Sequence, residues 1–466
     1  MTEKNFIIVN GIGYGEETKG NTVQALVREF NAHTVWRSGG WQGGHHITHD
    51  DDHEIALSFF GAGVFEGADT YLHHMVISPV ELFQEALELE TLGISNPLET
   101  ITIHENCLVT TPFHSGISRT REILRGKNKK GTIGKGVGEA ILDSHNPELT
   151  IRAGEFKDRT TILRKLENIR LSKLFAAEAL VGGYSVIPEE VDDEMAVLYN
   201  KDLIPVIADA FSYTDEIVNI TDDEYLKRLL NRSGSIVNEV SHGTLHHPRY
   251  GFLPHVTQID PTSSDVLATV KSQNYDGHIS RIGVTRSYLT RHGAGPLPSF
   301  SQELTEQLVE THNNVANDWL GEFRVGYFDI VALKFALAFS GKPDGLFISY
   351  MDTLQNRSEW DVVEGYQYQG QFGNLERYFI MDGGKIVGVR VHPDIGKEHT
   401  EHQQKLTRLL NECRPIVTTL KSTPGNMEQM FLSYVEEKLG VPVVATAYGP
   451  KVTDRHFLPA WQENFR

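Results

Sequence analysis

The sequence predicts an α/β protein. Apolar runs of strand length alternate with amphipathic stretches of helical period along the chain, the pattern of strands interleaved with helices. The first such unit is complete within residues 6–30: a buried strand, a glycine-rich turn and a helix with one apolar face. The composition agrees. Of 466 residues, 39% are hydrophobic and 23% charged, so the chain can bury a large core without a disulfide or structural metal.

Residues 6–10 (FIIVN) read as a buried strand. Val23, Leu26, Val27 and Phe30 recur at i, i+3, i+4 and i+7, which predicts a helix with one buried face. Pro79 to Leu92 reads as a second helix, with Val80, Phe83, Leu87 and Leu92 on or near one face. Ser78 fits its cap, Pro79 its first position and Glu81 its first turn. Thr160–Ala177 and Asp222–Leu230 read as helices. Phe328–Phe339 reads as a helix running into the strand Gly345–Ile348, and Val441–Ala447 as a short strand. No repeat, low-complexity tract or linker divides the chain, so 1–466 is read as a single domain. The glycine-rich stretch 126–138 is read as a functional loop.

Forty-three Lys and Arg stand against 62 Asp and Glu, a net charge of −19. That excess argues against broad binding to nucleic acid or an anionic membrane, both of which need a basic face, but leaves room for a local basic pocket. Cys107 and Cys413 cannot form a disulfide framework and are expected as reduced thiols. The start, MTEKNFIIVNG, lacks the basic and apolar regions of a secretory signal, and no apolar run approaches a membrane span. A cytoplasmic location is expected.

Between the first strand and helix lies Gly11-Ile12-Gly13-Tyr14-Gly15-Glu16-Glu17-Thr18-Lys19-Gly20. Backbone N–H groups and the positive helix end make such a corner an anion site. Lys19 falls where a phosphate-loop lysine would, although Thr18 and Gly20 depart from the usual glycine and Ser/Thr; a plain tight turn remains the alternative. A second segment, Arg37-Ser38-Gly39-Gly40-Trp41-Gln42-Gly43-Gly44-His45-His46, lets backbone approach a ligand closely. His45 is either a general acid there or a packed, hydrogen-bonded side chain.

These two loops resemble those of the adenylosuccinate synthetase family, W-G-D-E-G-K-G-K and G-G-H-N-A-G-H-T. Six further blocks resemble family motifs in the same order: Gly131–Glu139, Asn238–Leu245, Leu289–Ser299, Arg324–Asp329, Ser349–Asp352 and Ala447–Pro450. The resemblance implies a large central, mostly parallel sheet flanked by helices, related to phosphate-loop proteins. It implies a homodimer, small-molecule nucleotide and amine substrates, GTP as co-substrate and magnesium. In that chemistry a carboxylate takes a purine N1 proton, the 6-oxo group attacks the γ-phosphorus, and an amine then displaces phosphate.

Carried over by resemblance, Glu16 stands at the catalytic, metal-binding aspartate, one methylene longer. Gly44 stands at a magnesium-contacting carbonyl, His45 at the catalytic acid, and Lys19 among the catalytic and phosphate contacts. Gly15, Glu17, Thr18, Gly20, Asp352 and Gly449 fall at nucleotide-binding positions, Asp352 at the acid that pairs with guanine, with Tyr350 replacing a neighbouring lysine. Gln42, Thr132, Ile133, Lys135, His242, Thr257, Arg291, Glu322 and Arg324 fall at substrate positions. Ile133 replaces a phosphate-binding threonine and His242 a glutamine. The arginine-rich aspartate loop reads Gly321-Glu322-Phe323-Arg324, in which Glu322 would repel a dicarboxylate. Arg152 is the arginine available where the family contributes one across its dimer. The expected function is a GTP- and magnesium-dependent ligase acting on a purine oxo group; the alternative is a catalytically silent nucleotide-binding protein.

Three smaller features stay open. His45, His46, His49 and His53 bracket Asp50-Asp51-Asp52, either a metal site or a solvated hairpin tip. His242, His246 and His247 form a similar group. Lys127, Lys129 and Lys130 either serve a phosphate or form an exposed basic turn.

Overall fold

A computed structural model describes residues 4–48, 53–308, 319, 321–393, 396–423 and 425–465. His49, Asp50, Asp51 and Asp52 lie outside them, as does most of the segment before Gly321. An eleven-stranded sheet organises the chain. Its order is Arg455–Phe457, Val443–Ala447, Gly345–Ser349, His278–Arg286, Lys4–Gly11, Gly234–Gly243, Thr34–Gly40, Asp69–Ile77, Ile101–His104 and Asn219–Thr221, with Leu108–Val109 also beside Asp69–Ile77. Every pair is parallel except the Arg455–Phe457 edge. The α/β reading and the mostly parallel sheet are therefore what the chain forms.

The first strand shows why its sequence is apolar throughout. Ile7 and Val9 pack into one core with Val23, Leu26 and Val27 of the helix Lys19–Phe30. Phe6 and Ile8 pack on the opposite face with Trp36 and Tyr71. Both faces of a parallel sheet are covered, so strict alternation is absent.

The predicted elements form with shifted ends. The second helix runs Pro79–Thr91; Ser78 holds the cap position but makes no side-chain cap bond. The third runs Arg159–Val181, capped by Asp158, which accepts from the Thr161 N–H at 3.1 Å. Asp222 caps Asp223–Asn231 in the same way. Phe328–Asp329 is a short strand, and the helix after it is Ile330–Ser340. The chain also builds a second sheet from Phe328–Asp329, Glu359–Tyr368, Phe379–Asp382, Lys385–Val389 and Cys413–Lys421. Cys107 and Cys413 are free and buried. Among the described residues no helix is long and apolar enough to cross a membrane.

Parallel strands bring their carboxyl ends to one edge. Gly11, Gly40, Gly243, Arg286, Ser349 and Ala447 all end strands there. The glycine-rich loops leave from these ends, which is where open α/β sheets bind ligands.

Candidate active site

A cleft of about 760 Å³ opens at that edge. It is lined by Glu16 and Lys19 of the first loop, Gly44 and His45 of the second, and the loop around Thr132. The first loop is built from below. Glu17 is buried beneath it: one carboxylate oxygen accepts from the Gly15 N–H at 2.7 Å and the other faces Lys19 Nζ at 3.4 Å. Lys19 Nζ also donates to the Gly15 carbonyl at 3.1 Å. A Cβ on Gly11 would lie 2.1 Å from the Glu17 carboxylate, so glycine is required for the carboxylate to fit. Thr18 turns the chain into the helix with φ of 62°, the left-handed region, where the usual glycine would cost less. Gly20 has no room for a side chain either: its Cβ would stand 2.6 Å from the His46 carbonyl, so the hairpin carrying His45 rests on the start of the helix.

His45 begins the hairpin His45–Thr48 with Glu54–Leu57. Its Nδ1 lies 2.5 Å from a Glu239 oxygen. Arg37 donates to that same oxygen at 2.9 Å and, through Nη2, to the carbonyls of Gly43 at 3.2 Å, Leu57 at 3.3 Å and Ser58 at 2.9 Å. Arg37 and Glu239 are 0% exposed and His45 is 7% exposed. The turn that receives Arg37 is held in its own right: the N–H groups of Ser58, Phe59 and Phe60 all donate to Glu85. Burial alone would raise the Glu239 carboxyl, but Arg37 and then His45 hold it down to about 2. Burial, then Arg37, push the His45 imidazole down to about 3. The anionic Glu239 can only accept, so it orients the ring through Nδ1–H, with Arg37 Nη1 also 2.8 Å from that nitrogen. Nε2, on the far side of the ring, is buried with no partner. The arrangement is an imidazole oriented by a carboxylate with its second nitrogen uncommitted, able to bind or move one proton.

Gln42 and His242 meet across the cleft, Nε2 to Nε2 at 2.9 Å, and the Gln42 carbonyl is buried unpartnered. Burial and the Lys19 charge lower His242 to about 4, so it is neutral. Thr132, Ile133 and Lys135 form the opposite wall, with Thr257 and His255 between. Glu122 fixes that wall by accepting from the Gly131 N–H at 2.7 Å. Lys135 lies over the Trp41 ring at 4.2 Å, and burial lowers its ammonium pKa. Lys130 lines the cleft as well, with Arg121 and Arg125. Arg121 is paired with Glu139 at 3.0 Å and Arg125 with Glu122 at 2.7 Å, so the charge that favours an anionic occupant along this wall is chiefly that of Lys130 and Lys135.

On the other flank, Arg291 and Arg324 face each other across the strands Leu289–His292 and Phe323–Gly326. Arg291 is 0% exposed, donates to the Pro296 carbonyl at 2.8 Å and lies 4.4 Å over the Tyr14 ring. Burial pushes it down to about 10. Arg324 donates to the carbonyls of Gly293 and Gly295. Its place is under the 293–296 loop, outside the cleft wall. Glu322 is exposed and also outside it; its backbone carbonyl accepts from the Gly293 N–H at 2.8 Å. Glu16 Oε1 lies 3.9 Å from His292 Nε2. Tyr350 and Pro450 line the cleft, whereas Asp352 is exposed on the turn Met351–Leu354 and Gly449 receives Arg455 at 3.0 Å. Arg152 donates to the Asn106 carbonyl at 2.7 Å and is not at the cleft.

The first loop, Glu16, Lys19, His45, Gln42, His242, Thr132, Ile133, Lys135, Thr257 and Arg291 therefore meet in one cleft. Glu17, Arg324, Glu322, Asp352 and Gly449 stand behind or beside it. Sequence reasoning missed Arg37 and Glu239. Both were visible as lone charges in otherwise buried strand segments, a position that demands a partner. His46 lines the cleft while His53 is exposed, and His247 lies 3.6 Å from Asp260.

A phosphate-type loop and a carboxylate-oriented imidazole opening on one cleft, at the carboxyl edge of a parallel sheet, define a nucleotide-using enzyme. A family model for adenylosuccinate synthetase matches residues 8–456, and the chain belongs to that family, whose members are ligases forming carbon–nitrogen bonds. The chain is 26% identical to the adenylosuccinate synthetase of Photobacterium profundum over 451 residues, 96% of each chain. With that of Aliivibrio fischeri it shares 28% over 374 residues, 78% of this chain and 81% of the other. The fully ligated adenylosuccinate synthetase of Plasmodium falciparum superposes with a TM-score of 0.71 at 19% identity, covering 97% of this chain and 99% of that one. The succinoaminodeoxyadenylate synthetase of cyanophage S-2L, bound to dGMP and to dATP as an energy donor, superposes with a TM-score of 0.59 at 15% identity over 98% and 96%. At these identities the two structures show the shared fold.

Proposed function

We propose that the protein is a GTP- and magnesium-dependent ligase that phosphorylates an oxo group of a purine nucleotide, IMP or an analogue, and joins an amine there, aspartate or another donor. The observation that carries this reading is the unpartnered Nε2 of His45 in the same cleft as Lys19 and Glu16. Glu16 would take the purine N1 proton. The oxo oxygen then bonds to the γ-phosphorus as the bond to the β-phosphate oxygen breaks and the diphosphate leaves. The amine attacks the carbon that bears that oxygen, the carbon–oxygen bond breaks, and phosphate departs with the proton the amine nitrogen gives up. His45 holds a proton at Nε2 toward the departing oxygen. In the free protein burial keeps that nitrogen bare, so an anionic oxygen arriving beside it is what stabilises the proton, with Glu239 behind the ring. Lys19 and the loop amides hold phosphate, and Gln42 and His242 face the acceptor ring.

Magnesium is bound by hard oxygen donors, commonly one or two carboxylates together with substrate phosphates. The Glu16 carboxylate and the Gly44 carbonyl, both on the cleft, fit that donor set. When bound, the ion supplies charge neutralisation between phosphates. Leu142, Leu171 and Phe175 are large apolar side chains exposed to solvent. Leu142 also lines the cleft, and the reading takes the protein as a homodimer. The reading takes residues 1–466 as one domain working in the cytoplasm.

The test is phosphate release by purified protein given GTP, magnesium, a panel of purine nucleotides and a panel of amines. Release that depends on one nucleotide and one amine, and is lost in Glu16→Gln, is expected. Tight GTP binding without turnover, unchanged by Glu16→Gln, would instead support the silent nucleotide-binding alternative.

A further inference from the structure

Arg286 closes the strand His278–Arg286, on the opposite side of the first strand from His45. It lines the cleft and is only 5% exposed. Its Nε donates to the backbone carbonyl of Glu16, and its guanidinium lies 4.4 Å over the Tyr350 ring and 5.8 Å from that of Tyr288. Its Nη1 is buried with no hydrogen-bond acceptor. Among the described residues no carboxylate forms an ion pair with it; the Glu16 carboxylate acts on it only through space and, with the Tyr350 and Tyr288 hydroxyls, holds its pKa up against burial. The other buried arginines around the cleft also leave one nitrogen, Nε, unpartnered, but they hold more acceptors. Arg37 has Glu239 and three carbonyls, and Arg291 has two carbonyls and the Tyr14 ring. A guanidinium does not shed its charge. Burying one without a counter-ion is unfavourable, so a cation left short at the wall of an open cleft is set to receive an anion from outside.

Its position selects the anion. On one side it touches the first loop at Glu16; on the other it touches Tyr350, which with Pro450 also lines the cleft. A nucleotide whose base rests on the Tyr350 side and whose terminal phosphate reaches Lys19 passes its phosphate chain across this guanidinium. We propose that Arg286 contacts the phosphate oxygens of the energy-donating nucleoside triphosphate and carries part of the charge that collects on the leaving diphosphate. As the acceptor oxygen bonds to the γ-phosphorus, the bond to the bridging oxygen breaks and its electron pair stays on the diphosphate, beside the guanidinium. The inference rests on the triphosphate-driven reading above. A planar fork of donors suits two phosphate oxygens at once, and one already held by the Glu16 carbonyl and a tyrosine ring needs little reorganisation.

Isothermal titration with GTP, GDP, ATP and IMP, each with magnesium, tests this on the whole protein, using Arg286→Gln and Arg286→Lys with thermal unfolding as the control for folding. The expected result is a loss of affinity for the triphosphate and the diphosphate of about tenfold or more, IMP binding unchanged, and kcat lowered at saturating nucleotide. Arg286→Lys should recover part of the binding but less of kcat, since it keeps the charge without the fork. Should the glutamine variant fail to fold, the lysine variant carries the test through that split. Folded variants that bind di- and triphosphate like the parent would overturn the proposal. So would an effect confined to the KM of the amine, which would make the anion a donor carboxylate. A parent protein that binds neither GTP nor ATP would bring down the triphosphate reading itself, a result distinct from a parent that binds and variants that do not differ.

Discussion

The two flanks of the first strand handle buried cations in opposite ways. On the His45 flank, Arg37 is paired with Glu239 and donates to three carbonyls, with only its Nε unpartnered, and Glu239 also orients an imidazole and accepts from the Ala62 N–H at 3.0 Å. On the hairpin flank, Arg291 and Arg324 are tied to loop carbonyls without a carboxylate, and Arg286 holds a single carbonyl. A carboxylate-paired network fixes geometry before any ligand arrives, whereas carbonyl-tied cations keep net positive charge at the cleft. The first flank is built to position a proton donor and the second to attract anions.

The sharpest way to break that contrast is Glu239→Ala. It leaves Arg37 charged and unpaired at 0% exposure, and removing one partner of a buried pair costs about 3–5 kcal/mol. Urea unfolding should show that loss, and turnover should disappear with it as His45 loses its anchor. A change below about 1 kcal/mol would mean that the carbonyls alone satisfy Arg37, and that the two flanks do not differ in kind.

His45→Asn addresses the same flank with less structural damage. Loss of a positioned acid typically lowers rate by about 10²–10⁴-fold, to be measured as substrate-dependent phosphate release. The same variant reads out pH. His45 titrates near 3 when folded and near 6.5 when unfolded, so below pH 6.5 the unfolded chain gains a proton that the folded one refuses. Stability therefore falls as pH drops, by about 2 kcal/mol between pH 7 and 5 for this one imidazole. Glu239, held down to about 2, adds a loss in the same direction below about pH 4.5. His33 and His242, both lowered to about 4, contribute with the same sign and remain in the variant. The variant should thus show a shallower decline in urea midpoint between pH 7 and 5 than the parent. Equal slopes would indicate that His45 titrates alike in the folded and unfolded chain, and a steeper decline in the variant that it is already charged when folded.

Much of this flank was legible in the sequence, for a physical reason. The FIIVN strand, the glycine runs and Lys19 obey local rules of burial, backbone freedom and helix polarity, so they are readable one by one. His45 could be singled out by its glycine bed. Its partner could not, because Glu239 lies 194 residues away and reaches it through strand order. The hairpin flank was less legible still. Arg324, which the resemblance places at a substrate position, is paired with Arg291 across two strands and donates to Gly293 and Gly295, an arrangement that no local rule reveals. The second sheet escaped notice for a related reason: its strand Glu359–Tyr368 carries Glu359, Asp361, Glu364 and Gln367 among its apolar residues and pairs with strands distant in sequence.

Arg324→Ala tests the carbonyl brace. Hydrogen bonds to a charged group contribute about 1.5–3 kcal/mol, so unfolding should cost about 2 kcal/mol and the 293–296 loop should loosen. Hydrogen exchange at Ala294 should rise with it. If stability holds while the KM for the amine climbs instead, Arg324 faces the donor and belongs with the cleft cations.

Glu322→Gln should do least. The side chain is exposed and outside the cleft wall, and what the hairpin needs from this residue is its backbone carbonyl, which the substitution keeps. Stability should stay within about 0.5 kcal/mol, as for most exposed positions. Screening by water and salt should hold the KM for an acidic amine within about twofold. A fall in that KM of tenfold or more would show that the carboxylate turns toward the donor when ligands bind. The hairpin flank would then select against dicarboxylates by repulsion, and its arginines would owe their carbonyl partners to a resting arrangement that the reaction undoes.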